Sequence, residues 1–157
     1  MPAIFVDTGA FYALADKGDR NHSTARNVFE ARGIAGDLIT SDYVFVESWC
    51  LIRARLGRNA AMQFWDAMQS DVVRTYGVTS KDLSSARAIA ASWPDQDFSL
   101  VDCTSFALME RLRLDEALAF DSHFRVYRYG ARPRPAREHP VHSPISRYAP
   151  VDSIAAP

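Results

Sequence analysis

Two aspartates each end a short apolar run that has the composition of a buried β-strand. Asp7 ends the sequence IFVD, and Asp121 ends the sequence LAFD. At the carboxyl edge of an open parallel sheet, side chains in this position face the region where such folds bind ligands. Aspartate is also a common turn residue after a strand. Two strands that end alike nevertheless favour a shared site.

A glutamate stands on an otherwise apolar helix face. On a helix, the neighbours of Glu47 one turn away are Tyr43, Val44, Cys50 and Leu51. An ionised carboxylate on such a face is costly without a cation or a hydrogen-bond partner. Two interpretations stay open for Glu47: a cation site, or an ion pair with an arginine elsewhere in the chain.

Asp102 has a spacing that fits both a helix cap and a site residue. It follows Ser99 by three positions, which is the capping-box pattern at the start of a helix. The same helix face continues with Ser105, Phe106 and Met109. A structural cap and a ligand role are therefore both open for Asp102.

These four carboxylates would repel one another if they converge at one edge of a sheet, so the group would need a compensating cation. Oxygen donors suit Mg²⁺ or Mn²⁺, hard ions that keep several waters and engage substrate phosphates. A metal held by carboxylates is a usual apparatus for hydrolysing phosphodiester bonds. The residues therefore predict a divalent-metal site that acts on phosphate esters.

Strand and helix signals alternate along the chain, as needed to place these carboxylates at one edge. Apolar strand-like runs cover 3–6, 38–40, 72–76 and 117–120, with a short fifth run at 126–127. Helical patterns cover 42–56, 79–92 and 99–114, among others. Strands that are apolar throughout are typical of a parallel sheet covered on both faces. The predicted fold class is three-layer α/β.

Length and composition fit one ordinary globular domain. The chain has 157 residues, of which 48% are hydrophobic and 24% charged, which excludes wholesale disorder. No uncharged stretch is long enough to cross a membrane. Asp7 interrupts the apolar start that a signal peptide would need, and two cysteines, Cys50 and Cys103, give no disulfide framework. The sequence therefore predicts a cytoplasmic protein without a membrane partner.

Charge and proline content change near Gly130. The net charge is −1, yet residues 125–157 hold six arginines against Glu138 and Asp152, together with six of the eight prolines. The predicted organisation is a folded domain over 1–130 and a Pro/Arg-rich tail over 131–157. Such a tail could wrap the domain, meet a partner or touch phosphates, or it could be solvated with little function.

Four sequence segments together carry a family resemblance. VDTGAFYAL at the start, Glu47 in the second long helix, FSLVD ending at Asp102 and ALAFDSHF around Asp121 resemble the PIN domain. Their order and the overall length resemble the VapC-type ribonuclease toxins of bacterial toxin–antitoxin pairs, over about residues 3–128. The resemblance implies a PIN-like parallel sheet of about five strands between helices, and an acidic Mg²⁺ or Mn²⁺ site at Asp7, Glu47, Asp102 and Asp121.

The resemblance also implies an activity and partners. It predicts a metal-dependent endoribonuclease, the toxin of a VapBC-type pair, with an RNA substrate, a VapB-like antitoxin and a second copy of the chain as partners. Thr8 matches the hydroxyl position that supports the first aspartate by hydrogen bonding. Asp97 lies in the loop before Asp102, as an outer supporting carboxylate or a solvated loop residue. His123 and Arg125 follow Asp121 closely, and either contact RNA near the scissile phosphate or pack structurally.

Other classes of protein share parts of this acidic pattern. Asp7-Thr8-Gly9 is also the tripeptide of aspartic proteases, but a single copy in a largely helical chain excludes that class. An Asp-phosphoacceptor domain or a haloacid-dehalogenase-type phosphatase would need a second acidic residue close to Asp7, where Thr8 and Gly9 stand. The main alternative is a PIN-like RNA-binding module that has lost catalysis, against which the presence of all four carboxylates argues.

Overall fold

The computed structural model describes residues 2–129, in which strands and helices alternate. The strands are β1 (Ile4–Val6), β2 (Leu38–Ser41), β3 (Val73–Tyr76) and β4 (Glu116–Leu118). The helices are α1 (Thr8–Ala15), α2 (His22–Arg32), α3 (Asp42–Leu56), α4 (Arg58–Met68), α5 (Ser80–Ser92), α6 (Leu100–Leu112) and α7 (His123–Tyr129). The predicted tail over 131–157 lies outside the described residues.

The four strands form one parallel sheet in the order β3-β2-β1-β4. β1 is central and fully buried, which explains its continuous apolar sequence. All carboxyl ends of parallel strands lie at the same edge, so Asp7 leaves β1 in the middle of that edge. The predicted α/β class with a parallel sheet among helices is confirmed.

Two details at the C-terminal end of the domain differ from the sequence prediction. The described residues form four strands, not about five, because Val126 and Tyr127 belong to α7. Tyr127 is buried, its ring stacks on Phe106 at 4.3 Å between centroids, and its hydroxyl donates to Glu110. These contacts with α6 outweigh the weak strand preference of two residues. β4 also ends earlier than predicted, at Leu118, so Asp121 follows it by three residues.

Helix α6 is the most buried helix and brings Asp102 into the protein. Every residue from Asp102 to Met109 is buried, as expected of a helix that is apolar on most of its faces. Phe106 and Leu108 join the core that surrounds Phe5 of β1. No helix in the described part of the chain is long and apolar enough to span a membrane.

An ion pair between the partly exposed Arg111 and the buried Asp82 joins α5 to α6. The Nε–H of Arg111 donates to Oδ1 of Asp82 at 2.9 Å, and the Thr79 main-chain N–H and hydroxyl both donate to Oδ2 at 2.8 Å. Burial raises the pKa of Asp82, but the bonds from Arg111 and Thr79 outweigh burial and hold the pKa below its ordinary value. This carboxylate therefore stabilises the fold in its ionised form.

Replacing Asp82 by alanine should lower the free energy of unfolding by about 1–3 kcal/mol at neutral pH, because Arg111 loses its partner and the Thr79 main-chain N–H loses its acceptor in the capping box. Because the pKa of Asp82 is lower in the folded protein than the unfolded value of 3.8, its carboxylate stabilises the fold at pH values above 3.8. That stabilisation is lost as the pH falls through the pKa of Asp82 in the folded protein. Denaturant titrations at neutral and acidic pH measure both effects. Glu30→Ala, in the exposed Arg26–Glu30 pair, should cost less than about 0.5 kcal/mol; equal losses would contradict the assignment.

Candidate active site at the carboxyl edge of the sheet

Asp7 is a buried carboxyl group at the centre of the sheet edge. It caps α1, and its Oδ2 accepts a hydrogen bond from the Gly9 main-chain N–H at 3.4 Å. Its side chain is almost inaccessible to solvent, since the residue is only 4% exposed. Burial, followed by the negative charge of Asp121 and then that of Asp102, raises the pKa of Asp7 to about 8. The main-chain N–H groups of Thr8 and Gly9 oppose this shift without reversing it.

Asp102 is both a helix cap and a member of the acidic group. Its Oδ2 accepts from the Ser99 main-chain N–H at 2.8 Å, and its own N–H donates to the Ser99 hydroxyl at 3.0 Å. The same Oδ2 lies 2.8 Å from Nδ1 of His123. The capping box is therefore present, and it does not exclude a ligand role, because the same carboxylate also lies beside His123 and Asp121.

Asp121 lies in the loop between β4 and α7. Its Oδ1 accepts from the His123 main-chain N–H at 2.9 Å. Loss of solvent around the carboxylate, and then the charge of Asp102, raise the pKa of Asp121. The donor atoms of Asp102, Asp121 and His123 all lie within 4.8 Å of one another. Three predicted site residues, Asp7, Asp102 and Asp121, thus influence each other electrostatically.

Glu47 reaches the same region through Thr8. The Thr8 hydroxyl donates to Oε2 of Glu47 at 2.5 Å, which joins α3 to the residue directly after Asp7. Glu47 is half-buried, and none of the described arginines forms an ion pair with it. The partner that its apolar surroundings require is therefore the hydroxyl beside Asp7.

The remaining predicted residues have different surroundings. Asp97 is exposed in the loop before α6, and Arg125 is exposed on α7. His123 is half-buried, and its ring packs edge-on against Phe98 with 5.4 Å between centroids. The contact between His123 and Asp102 was not predicted from the sequence, although the close spacing of Asp121 and His123 is a signal for it.

The donor set fits a divalent metal ion. Carboxylate oxygens are the ligands that Mg²⁺ and Mn²⁺ prefer. Loss of solvent is the largest cause of the raised pKa values of Asp7 and Asp121, and the uncompensated charges of the neighbouring carboxylates add to it. A cation at this edge would relieve that repulsion, so the chemistry of the residues matches the predicted metal site.

Replacing Asp7 by asparagine should stabilise the metal-free protein, and the gain should grow with pH. Between the unfolded value of 3.8 and the folded value of about 8, the unfolded chain is ionised while folding requires a proton on Asp7. The free energy of unfolding therefore carries no penalty from Asp7 below pH 3.8, and it falls as the pH rises toward 8. The total decrease is several kcal/mol at most, because each unit of difference between the folded and unfolded pKa corresponds to about 1.4 kcal/mol.

Denaturant titrations in EDTA, at about pH 4, 6 and 8, measure this dependence. Asp66→Asn makes the same chemical change at an exposed position of α4 and should leave the pH dependence of wild type unaltered. Parallel stability curves for wild type and Asp7→Asn would contradict the raised pKa of Asp7.

Comparison with known proteins gives concordant matches over this domain. The PIN domain family model matches residues 4–128. The 23S rRNA-specific endonuclease VapC20 of Mycobacterium tuberculosis, from strains CDC 1551 / Oshkosh and ATCC 25618 / H37Rv, is 35% identical over 121 residues, which are 77% of this chain and 91% of the relative. The crystal structure of M. tuberculosis VapC20, described as a sarcin-ricin loop cleaving toxin, superposes with a TM-score of 0.74 at 34% identity, covering 79% of this chain and 94% of that one.

Proposed function

Because the chain belongs to the PIN-domain family and is an endoribonuclease of the VapC toxin type, we propose that its substrate is 23S ribosomal RNA and that it cleaves the sarcin–ricin loop. The observation that carries the nuclease function is that the buried carboxyl groups of Asp7 and Asp102 lie near the exposed carboxylate of Asp121 at one sheet edge. Burial, and then the charges of Asp121 and Asp102, raise the pKa of Asp7 to about 8. The substrate is carried over from the relative that shares 35% identity.

In this proposal Asp7, Glu47, Asp102 and Asp121 hold the divalent ion, which is Mg²⁺ or Mn²⁺. When bound, the ion supplies Lewis-acid stabilisation of the phosphoryl group and makes water a stronger nucleophile. The hydrogen bonds made by Thr8 to Glu47 and by Ser99 to Asp102 support the proposal, because ligand side chains need fixed orientations.

The groups around the carboxylates have supporting parts in the proposal. Arg125 is exposed on the helix that begins beside Asp121, where a guanidinium could pair with an RNA phosphate. Asp97 is exposed in the loop that leads to Asp102 and acts as an outer carboxylate. His123 contacts Asp102 directly, which supports a part for it within the acidic site.

Membership of the VapC toxin type also implies a protein partner and a cellular location. VapC toxins pair with VapB-type antitoxins, and we infer that this chain has such an antitoxin. A homodimer in the cytoplasm completes the proposal. The absence of a membrane-spanning helix in residues 2–129 is compatible with it.

The purified full-length protein should be incubated with intact ribosomes and with total RNA in millimolar Mn²⁺ or Mg²⁺, and the cut sites mapped by primer extension. The expected result is one dominant cut within the sarcin–ricin loop of 23S rRNA. Ribosomes with a base-substituted loop serve as the control and should be cut much less. Cleavage confined to another RNA would overturn the substrate, whereas binding without any cleavage would favour the non-catalytic alternative.

A further inference from the structure

His123 is hydrogen-bonded to two carboxylates of the acidic group at once. Its main-chain N–H donates to Oδ1 of Asp121 at 2.9 Å, and its ring Nδ1 lies 2.8 Å from Oδ2 of Asp102. The edge-on contact with Phe98 restricts rotation of the ring. The imidazole therefore has a defined orientation within the acidic group.

Two of these donors are as close to each other as neighbouring ligands of a single ion. Neighbouring ligands of an octahedral ion with bonds of about 2.1 Å lie about 3 Å apart, close to the 2.8 Å between Nδ1 of His123 and Oδ2 of Asp102. The donor atoms of His123, Asp102 and Asp121 are mutually within 4.8 Å. A nitrogen donor thus stands among the oxygen donors at near-ligand distances.

We propose that a ring nitrogen of His123 joins Asp102 and Asp121 as a ligand of the divalent ion, and that the site therefore prefers Mn²⁺ to Mg²⁺. The inference rests on the proposed function, in which these carboxylates hold the ion. Mg²⁺ takes oxygen ligands almost exclusively, whereas first-row transition ions also accept imidazole nitrogen. One nitrogen in the donor set consequently changes which ion is favoured.

A competing role for His123 is to orient Asp102 by a hydrogen bond without touching the ion. The variant His123→Asn separates the two roles. The asparagine amide N–H can donate to Asp102 from nearly the place of Nδ1, and the side chain can offer an ion only its carbonyl oxygen, so nitrogen coordination is lost. His123→Phe removes both abilities and keeps the ring that packs against Phe98.

Calorimetric titration of the full-length protein with Mn²⁺ and with Mg²⁺, without RNA, measures the preference. Wild type should bind Mn²⁺ at least about tenfold more tightly than Mg²⁺. His123→Phe should lose about tenfold or more of the Mn²⁺ affinity, a loss typical of removing metal-supporting groups, and His123→Asn should lose most of the preference for Mn²⁺ over Mg²⁺. The Mg²⁺ affinity of His123→Asn should change much less. His22→Asn is the matched control, because the His22 ring bonds the Ala13 carbonyl instead, and it should leave both affinities unchanged.

Pulsed electron paramagnetic resonance of Mn²⁺-loaded wild type tests the ligand directly, whether or not the variants fold. Nitrogen modulation from a coordinated imidazole should be present in wild type and in His22→Asn, and absent in His123→Asn. A spectrum without nitrogen, or nitrogen that persists in His123→Asn, would overturn the inference, as would an unchanged Mn²⁺-to-Mg²⁺ ratio in that variant. A wild-type protein that binds neither ion would overturn the proposed metal-dependent function as well.

Discussion

An Asp121→Asn protein should cleave RNA about 10²–10⁴-fold more slowly than wild type and yet remain folded. Asparagine keeps the shape of the side chain and can still accept the hydrogen bond from the His123 main chain, but it removes one negative charge from the proposed ion site. A divalent ion contributes several kcal/mol of transition-state stabilisation, and each 1.4 kcal/mol corresponds to a factor of about ten in rate. Single-turnover cleavage of a sarcin–ricin loop RNA by both proteins measures the loss.

The same substitution should leave the metal-free protein as stable as wild type or more stable. Asp121 raises the pKa of Asp7, and Asp102 raises that of Asp121, so removing one charge relieves repulsion of about 1 kcal/mol in a partly hydrated site. Added Mn²⁺ should then raise the melting temperature of wild type more than that of the variant, because binding stabilises only the folded state.

Thermal melts in EDTA and in millimolar Mn²⁺ compare the two proteins. Asp66→Asn, on the exposed part of α4, should behave as wild type in activity, stability and metal-induced shift. A variant that is clearly less stable in EDTA, and that shows an unchanged shift with Mn²⁺, would mean that Asp121 is part of the scaffold and that the site is misassigned.

The sheet and the place of Asp7 follow closely from local sequence. Continuous apolar runs such as Ile4–Val6 predict buried parallel strands, and Asp7 comes directly after the central one. Caps were predictable for the same reason, because Ser99 and Asp102 form their box within a single turn of chain. Strands and helix caps, which depend on residues close together in the chain, could therefore be predicted from the sequence.

Features set by distant residues were not. The hydrogen bond between Thr8 and Glu47 joins residues 39 positions apart, and that between His123 and Asp102 joins residues 21 apart. The helical state of Val126–Tyr127 similarly depends on the packing of Tyr127 against α6. Tertiary contacts of this kind override a weak local preference, which is why the fifth strand was predicted and a helix is found.

Removing divalent ions with excess EDTA should abolish cleavage, and restoring Mn²⁺ or Mg²⁺ should recover it. The known metal-free route for RNA cleavage needs an acid and a base, commonly two histidines, which activate the 2′-hydroxyl and leave a 2′,3′-cyclic phosphate. In the described part of the chain, the histidines are His22 and His123, and they do not converge. His22 bonds the Ala13 carbonyl, whereas His123 bonds Asp102.

Hydrolysis at the acidic site should instead leave a 5′-phosphate and a 3′-hydroxyl, because water and not the 2′-hydroxyl attacks the phosphorus. Digestion of the downstream fragment by a 5′-phosphate-dependent exonuclease, and ligation of the upstream fragment through its 3′-hydroxyl, identify both ends. A substrate with a 2′-deoxy sugar at the cut position is the sharpest control, since it should still be cut. Full activity in EDTA, a cyclic phosphate product or resistance of the deoxy substrate would exclude metal-dependent attack by water, even though all four carboxylates are present in the protein.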